Sequence, residues 1–205
     1  MKKIDTIIFD LGGVLIDWNP EYVFLDVFNG DRKKMQWFFD NICTSDWNEN
    51  QDAGYPLAKA TKERVALFPE WKKEIEMFYG QWETMLGDAI SGTVDILKKL
   101  IDSKQYKVVA LTNWSAETFP IALKKFDFLH WFDGILVSGE ENTRKPFGEI
   151  YHLTLNRFNI KAAHSVFIDD NLRNIEAANN LGINGIHFSS PNQLIQQLKT
   201  FNINL

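Results

Sequence analysis

One cysteine in 205 residues leaves no partner for an internal disulfide, so a cross-linked scaffold is excluded. Cys43 is read as a small apolar core residue in a reducing, cytoplasmic setting. No apolar run approaches the ~18 residues that a membrane helix needs, so no span is expected. Lys2 and Lys3 precede an apolar stretch, but Asp5 and Asp10 interrupt it and no small-residue cleavage site follows; no export signal is expected. Positive charge is in deficit, 22 Lys and Arg against 27 Asp and Glu for a net charge of -5, which leaves no basic footprint for nucleic acid. Internal repeats, low-complexity tracts and long charge runs are absent, excluding solenoids and disordered tails.

What is present is an ordinary globular composition, 45% hydrophobic and 24% charged, long enough for one domain with a large insertion. The stretch from Thr6 to Asp17, TIIFDLGGVLID, organises the rest. Ile7, Ile8 and Phe9 run into Asp10 and two glycines, the pattern of a buried strand ending in a carboxylate on a sharp turn. Open α/β sheets hold their ligands at that edge.

From Asp17 to Gly92 apolar and aromatic residues recur at helical spacing, through Tyr22, Val23, Leu25 and Phe28 and then Met35, Phe38, Phe39 and Ile42. A polar break, Thr44 to Gly54, divides this block and reads as a loop; helices over Leu57 to Leu67 and Pro69 to Trp82 follow. Five of the seven tryptophans lie between Trp18 and Trp82, a density that suits the core of a small bundle, with Trp18 and Trp47 placed in loops.

Beyond Thr93 helix and strand alternate. Strands are expected over Lys107 to Thr112, Gly134 to Val137, Ser165 to Asp169 and Gly185 to Phe188. Helices are expected over Val94 to Ser103, Ala116 to Phe126, Gly148 to Phe158, Leu172 to Leu181 and Asn192 to Thr200. Such alternation predicts an α/β fold, a doubly wound parallel sheet covered on both faces. The core is expected to comprise residues 1-16 and 93-205, with residues 17-92 inserted as a helical cap over the sheet's carboxyl edge.

Each expected strand ends in chemistry: Asp10; Thr112 and Asn113; Ser138 leading to Lys145; then the pair Asp169 and Asp170. Parallel strands bring these ends to one edge, where a nucleophilic carboxylate, a hydroxyl, a cation and two further acids would form a phosphate site with a metal. Asp10 and Asp170 with a backbone carbonyl and waters suit Mg²⁺, a hard octahedral cation. Thr112, the amide of Asn113 and Lys145 can hold phosphoryl oxygens. For Asp169 two roles stay open, binding the metal directly or through water, and anchoring Lys145.

The four motifs, FDLGGVL at 9 to 15, LTN at 111 to 113, Lys145 in RKP and IDDN at 168 to 171, resemble those of the haloacid dehalogenase-like (HAD) hydrolases. The likeness extends along the whole chain and is strongest to capped members that act on sugar phosphates such as glucose 1-phosphate, and to the phosphatase domain of soluble epoxide hydrolases. It implies a Rossmann-like core, Mg²⁺, attack by Asp10 on phosphorus to form an aspartyl phosphate, a metal contact from the Gly12 carbonyl, and a small phosphorylated metabolite as substrate. It also exposes a departure: the family's usual general acid two residues after the nucleophile is replaced here by Gly12. Asp17, Glu49 and Asp52 are alternative proton donors among which no spacing rule selects. Two other functions follow from the same residues, a non-catalytic phosphate-binding or regulatory protein that lost its acid, and a 2-haloacid dehalogenase. The pair Asp169 and Asp170 argues against the second. Trp47, in the polar break, and Trp114, after the second motif, are candidate substrate contacts.

Overall fold

The computed structural model describes residues 3–205; Met1 and Lys2, the latter part of the basic start noted above, lie outside the described residues. The chain opens with β1 (Thr6–Phe9) and β2 (Ile16–Trp18). Six helices follow: α1 (Glu21–Val27), α2 (Arg32–Asn41), α3 (Ser45–Asp52), α4 (Leu57–Leu67), α5 (Lys72–Gly80) and α6 (Trp82–Met85). Next come β3 (Leu86–Ala89), α7 (Ser91–Asp102), β4 (Lys107–Thr112), α8 (Phe119–Lys125), β5 (Gly134–Val137) and α9 (Ser138–Glu141). The last elements are α10 (Gly148–Arg157), β6 (Ser165–Asp169), α11 (Leu172–Asn180), β7 (Asn184–His187) and α12 (Pro191–Thr200).

Five strands form a parallel sheet in the order β5-β4-β1-β6-β7, which puts β1 at its centre. Alternation along β1 explains why it is buried throughout. Ile7 and Phe9 join Val108, Ala110, Val166 and Ile168 on one face, packed with residues of α7 and α12. Ile8 joins Val109, Leu111 and Phe167 on the other, against α10 and α11. Strands with two apolar faces are what a sheet covered on both sides requires. The expected α/β fold is therefore present, with β4, β5 and β6 at the limits read from the sequence.

The cap helices enclose their own aromatic packing, continuous with the first face: the Phe24 ring lies 5.2 Å from Phe38, which in turn lies 5.5 Å from Trp71. Two features correct the sequence expectations. The polar break is largely a helix, α3, capped by the Thr44 hydroxyl, which accepts the Trp47 N–H at 3.2 Å. Only Trp47 and Gln51 of α3 are buried, so it carries no apolar stripe and its sequence mimics a loop. Trp18 belongs to β2, which pairs antiparallel with β3. These strands of 3 and 4 residues are too short to show alternation, yet they carry the chain out of the core and back.

Candidate active site

Asp10 continues β1 by one hydrogen bond, its N–H donating to the Ile168 carbonyl at 2.8 Å, so its side chain stands at the carboxyl end of the central strand. The chain then turns through two glycines, where Gly13 N–H donates to Ile16 O at 2.9 Å and Ile16 N–H to Leu11 O at 2.9 Å. Gly13 has φ +70, and a Cβ there would collide with the Asp170 carboxylate. Gly13→Ala is therefore expected to push Asp170 aside and to weaken divalent-cation binding at least tenfold, on the order of 1.4 kcal/mol, measured by calorimetric titration.

The side chains at the other strand ends converge on Asp10. Lys145 is fully buried, and its ammonium lies 2.9 Å from Asp10 Oδ2 and 2.7 Å from Asp169 Oδ2, with the Leu111 carbonyl at 3.2 Å. Three donors thus meet three acceptors. Asn113 brackets the lysine's backbone: its carboxamide donates to Lys145 O at 3.0 Å and accepts from Lys145 N–H at 2.8 Å. Asp169, also fully buried, takes the Asn171 N–H at 2.8 Å and the Asn174 carboxamide at 3.1 and 3.0 Å in addition to the ammonium. Of the two roles left open for it, the anchoring of Lys145 is the one its hydrogen bonds fill.

Oxygens of Asp10, Asp169 and Asp170 lie within 4.8 Å of one another, so three carboxylates face one ammonium. Burial pushes the Asp10 carboxyl up to about 8; Lys145 pulls it back, while Asp169 and Asp170 raise it further. Burial and then Asp169 also raise Asp170. Burial alone would lower Lys145, but Asp10 and Asp169 outweigh it and hold the ammonium above its ordinary value. The cluster is short of positive charge, and its donors are all hard oxygens. That combination fits a small divalent cation of the Mg²⁺ kind.

Residues 7–188 match the family described as haloacid dehalogenase-like hydrolase. The chain belongs to that family. A sesquiterpene phosphatase of Aspergillus oryzae is 27% identical over 94% of this chain and 93% of its own. A phosphorylated carbohydrates phosphatase of Thermotoga maritima is 23% identical over 90% and 84%. Among solved structures, a HAD family enzyme of Bacteroides thetaiotaomicron in a magnesium complex superposes with a TM-score of 0.71, at 23% identity over 92% of this chain and 95% of that one.

In this HAD-like hydrolase the acids open into a pocket of about 260 Å³. Trp114, expected there, does line it, beside Asn113. So do Trp18 and Trp82, whose rings lie 5.2 Å apart and which the sequence did not offer as substrate contacts. Thr112 is buried at the end of β4 and is not among the lining residues. Trp47 is not brought to the acids. Its ring packs 5.4 Å from Phe78 under the Arg64 guanidinium, beside a different cleft of about 530 Å³ that contains none of the motif residues. Helix α3 turns its other side to the acid pocket, contributing Asn48, Glu49 and Asp52. Arg173, one turn beyond Asp169 and Asp170, also lines it and lies 2.6 Å from Glu49. Among the described residues, no helix is long and apolar enough to cross a membrane.

Proposed function

We propose that this chain is a Mg²⁺-dependent phosphatase that hydrolyses a small phosphate monoester, a sugar phosphate favoured, through a phosphoryl group carried on Asp10. The observation that carries this reading is the Asp10–Lys145–Asp169 triad with Asp170 beside it at one pocket edge. Asp10, Asp170 and the Gly12 carbonyl would hold the metal, and Asp169 would act through Lys145 and water. A bound Mg²⁺ would supply charge neutralisation between the anionic nucleophile and the anionic substrate. Asp10 Oδ forms a bond to phosphorus as the bond to the leaving oxygen breaks; water then attacks phosphorus, and phosphate leaves with Asp10 restored. Lys145 fixes the orientation of Asp10 and balances its charge. The Asn113 carboxamide is engaged with the lysine loop through its oxygen and one of its two N–H groups, which leaves the second N–H to meet a phosphoryl oxygen.

The division proposed for the chain is a core of 1-16 and 93-205 with a cap of 17-92. The sugar-phosphate reading is supported by the flat indole faces of Trp18, Trp82 and Trp114 set among the carboxamides of Asn48 and Asn174, a lining suited to a polyol ring. The three indoles equally favour a second reading, the phosphate of an apolar alcohol, in keeping with the name of the Aspergillus relative. A panel of sugar, aryl and prenyl phosphates, assayed with Mg²⁺ and with chelator, separates the two. Turnover of none of them, with phosphate analogues still bound, would leave a binding protein.

Metal binding is expected to be visible without turnover. Mg²⁺ at about 100 times its dissociation constant should stabilise chelator-treated protein by about 2.7 kcal/mol. For a chain of this size that is a rise in melting temperature of roughly 5–10 °C. No rise, or an equal rise in Asp170→Asn, would remove the metal from the proposal.

A further inference from the structure

The reaction as proposed lacks a proton for the leaving oxygen, because position 12 is glycine and a Cβ built there meets nothing within 4 Å. Four carboxylates line the pocket: Asp10, Asp170, Glu49 and Asp52. The first two belong to the acid cluster around Lys145. Glu49 is engaged by two guanidinium groups, Arg144 at 2.7 Å and Arg173 at 2.6 Å. Asp17 stands on β2, accepts the Tyr22 hydroxyl, and does not line the pocket. Asp52 remains, and among the described residues no salt bridge reaches it. Its close neighbours are neutral donors, the Asn48 carboxamide at 3.1 Å from Oδ2 and the backbone N–H of Ser115.

We infer that Asp52, on the cap, is the catalytic acid and base that replaces the missing acid at position 12, an assignment that rests on the phosphatase reading above. As the Asp10–phosphorus bond forms and the bond to the substrate oxygen breaks, the electron pair left on that oxygen takes the Asp52 proton and the alcohol departs. The Asp52 carboxylate then accepts a proton from the water that attacks phosphorus. The bond from phosphorus to Asp10 breaks, phosphate leaves, and Asp52 is again protonated. No co-reactant beyond water is needed.

Burial, the largest influence, pushes the Asp52 carboxyl up to about 7; Glu49 raises it as well, and the Ser115 N–H, Arg144 and Lys145 pull it down. Tyr79 of α5 also faces it, and the Asp52 charge helps to raise that phenol. A group poised near neutrality can give a proton in one half-reaction and take one in the other. Its placement depends on docking of the cap. The Asp52 carbonyl accepts the Ser138 hydroxyl of α9, and the same hydroxyl oxygen accepts the Trp114 N–H at 2.9 Å. Helix α3 therefore meets the core at the residue that carries the acid. A cap swung away would leave the phosphorylated Asp10 without its base.

The test compares an alkyl phosphate with 4-nitrophenyl phosphate, whose leaving group needs no proton. Asp52→Asn is expected to lower the alkyl chemical-step rate by on the order of 10²- to 10³-fold and the aryl phosphorylation rate by less than about tenfold. The pH limb near 7 in the alkyl profile should vanish. Adding Gly12→Asp to Asp52→Asn should recover at least tenfold on the alkyl substrate, since that side chain enters open space. In the metal-free protein, carbon NMR of labelled aspartates should show one carboxyl titrating near 7 that Asp52→Asn deletes. Because that carboxyl is raised in the folded state, ionising it costs stability as pH climbs from about 4 to about 7. Asp52→Asn should therefore melt progressively higher than the unmodified protein over that window. Equal losses on both substrates, or an unchanged alkyl rate, overturn the role. Should Asp52→Asn fail to fold, the unmodified enzyme decides: an alkyl profile with no limb near 7 and no carboxyl titrating there overturns it. Undiminished turnover of alkyl phosphates in Asp52→Asn sinks this role alone, whereas an unmodified protein inactive on every monoester sinks the phosphatase reading and this role with it.

Discussion

Asp10→Asn is expected to abolish turnover of every phosphate monoester, by on the order of 10⁴- to 10⁶-fold, the range seen when a nucleophile or its immediate partner is removed from a covalent enzyme. The carboxamide keeps the size of the carboxylate but presents a far weaker nucleophile and no charge to a divalent cation. The fold should survive the change. Asp10 sits with Asp169 and Asp170 around a single ammonium, and burial holds its carboxyl up at about 8, so the folded protein binds this proton more tightly than the unfolded chain does. Stability from this group is greatest at low pH and is lost as pH rises from the unfolded value near 4 through about 8. Without metal, Asp10→Asn should thus melt higher than the unmodified protein at pH 8, and the gap should close toward pH 4. Mg²⁺ should reverse the order, because the variant loses a ligand. Unchanged turnover in Asp10→Asn would discard the covalent mechanism, whatever the melting curves did.

The residues needed for that prediction were legible from the sequence because parallel strands impose a simple rule: whatever follows the apolar run of each strand arrives at one edge. Asp10 after IIF, Asn113 after VVALT, and Asp169 and Asp170 after VFI each sit at the end of a continuous apolar run that a polar residue closes. Lys145 was legible as a motif but not as a geometry, since the seven residues that lead to it from β5 contain a helix of four residues, α9, with no periodicity to read. The cap side of the pocket was the least legible. Helix α3 lies between two open spaces, the acid pocket and the cleft beside Arg64, and so shows Trp47 and Gln51 as its only buried residues. A chain segment that is polar because it lines two cavities has the composition of a loop. Trp47 and Asp52 were both placed in that supposed loop, and the helical twist sends them to opposite clefts. A Thr44 cap with Asp46 in the first turn was the signal for the helix, and it was outweighed by the missing apolar stripe. Arg173 lies in the first turn of the helix expected from Leu172 and could have been found by projecting that turn over the strand ends.

Lys145→Met carries the largest expected effect on stability. The side chains of Lys145 and Asp169 are fully buried and that of Asp10 is 10% exposed, so removing the ammonium leaves two carboxylates desolvated with no countercharge. Breaking one side of a buried ion pair costs about 3–5 kcal/mol, a large fraction of the stability of an ordinary domain. In a chain of this size the melting temperature should fall by roughly 10 °C. The methionine fills most of the lysine's volume, so a cavity contributes little and the deficit is electrostatic. Two controls separate charge from packing. At alkaline pH, adding Asp10→Asn to Lys145→Met should recover part of the loss, because there one of the two stranded carboxylates disappears while Asp169 keeps its bonds from Asn171 and Asn174. Acidification should also narrow the gap to the unmodified protein. Asp10 already holds its proton above the ordinary range, and without the ammonium beside it, which pulls its carboxyl down, that proton is bound more tightly still. A Lys145→Met variant that melts with the unmodified protein at pH 8 would mean that the ammonium repays only its own desolvation, and its part in the site would then rest on the attacking carboxylate alone.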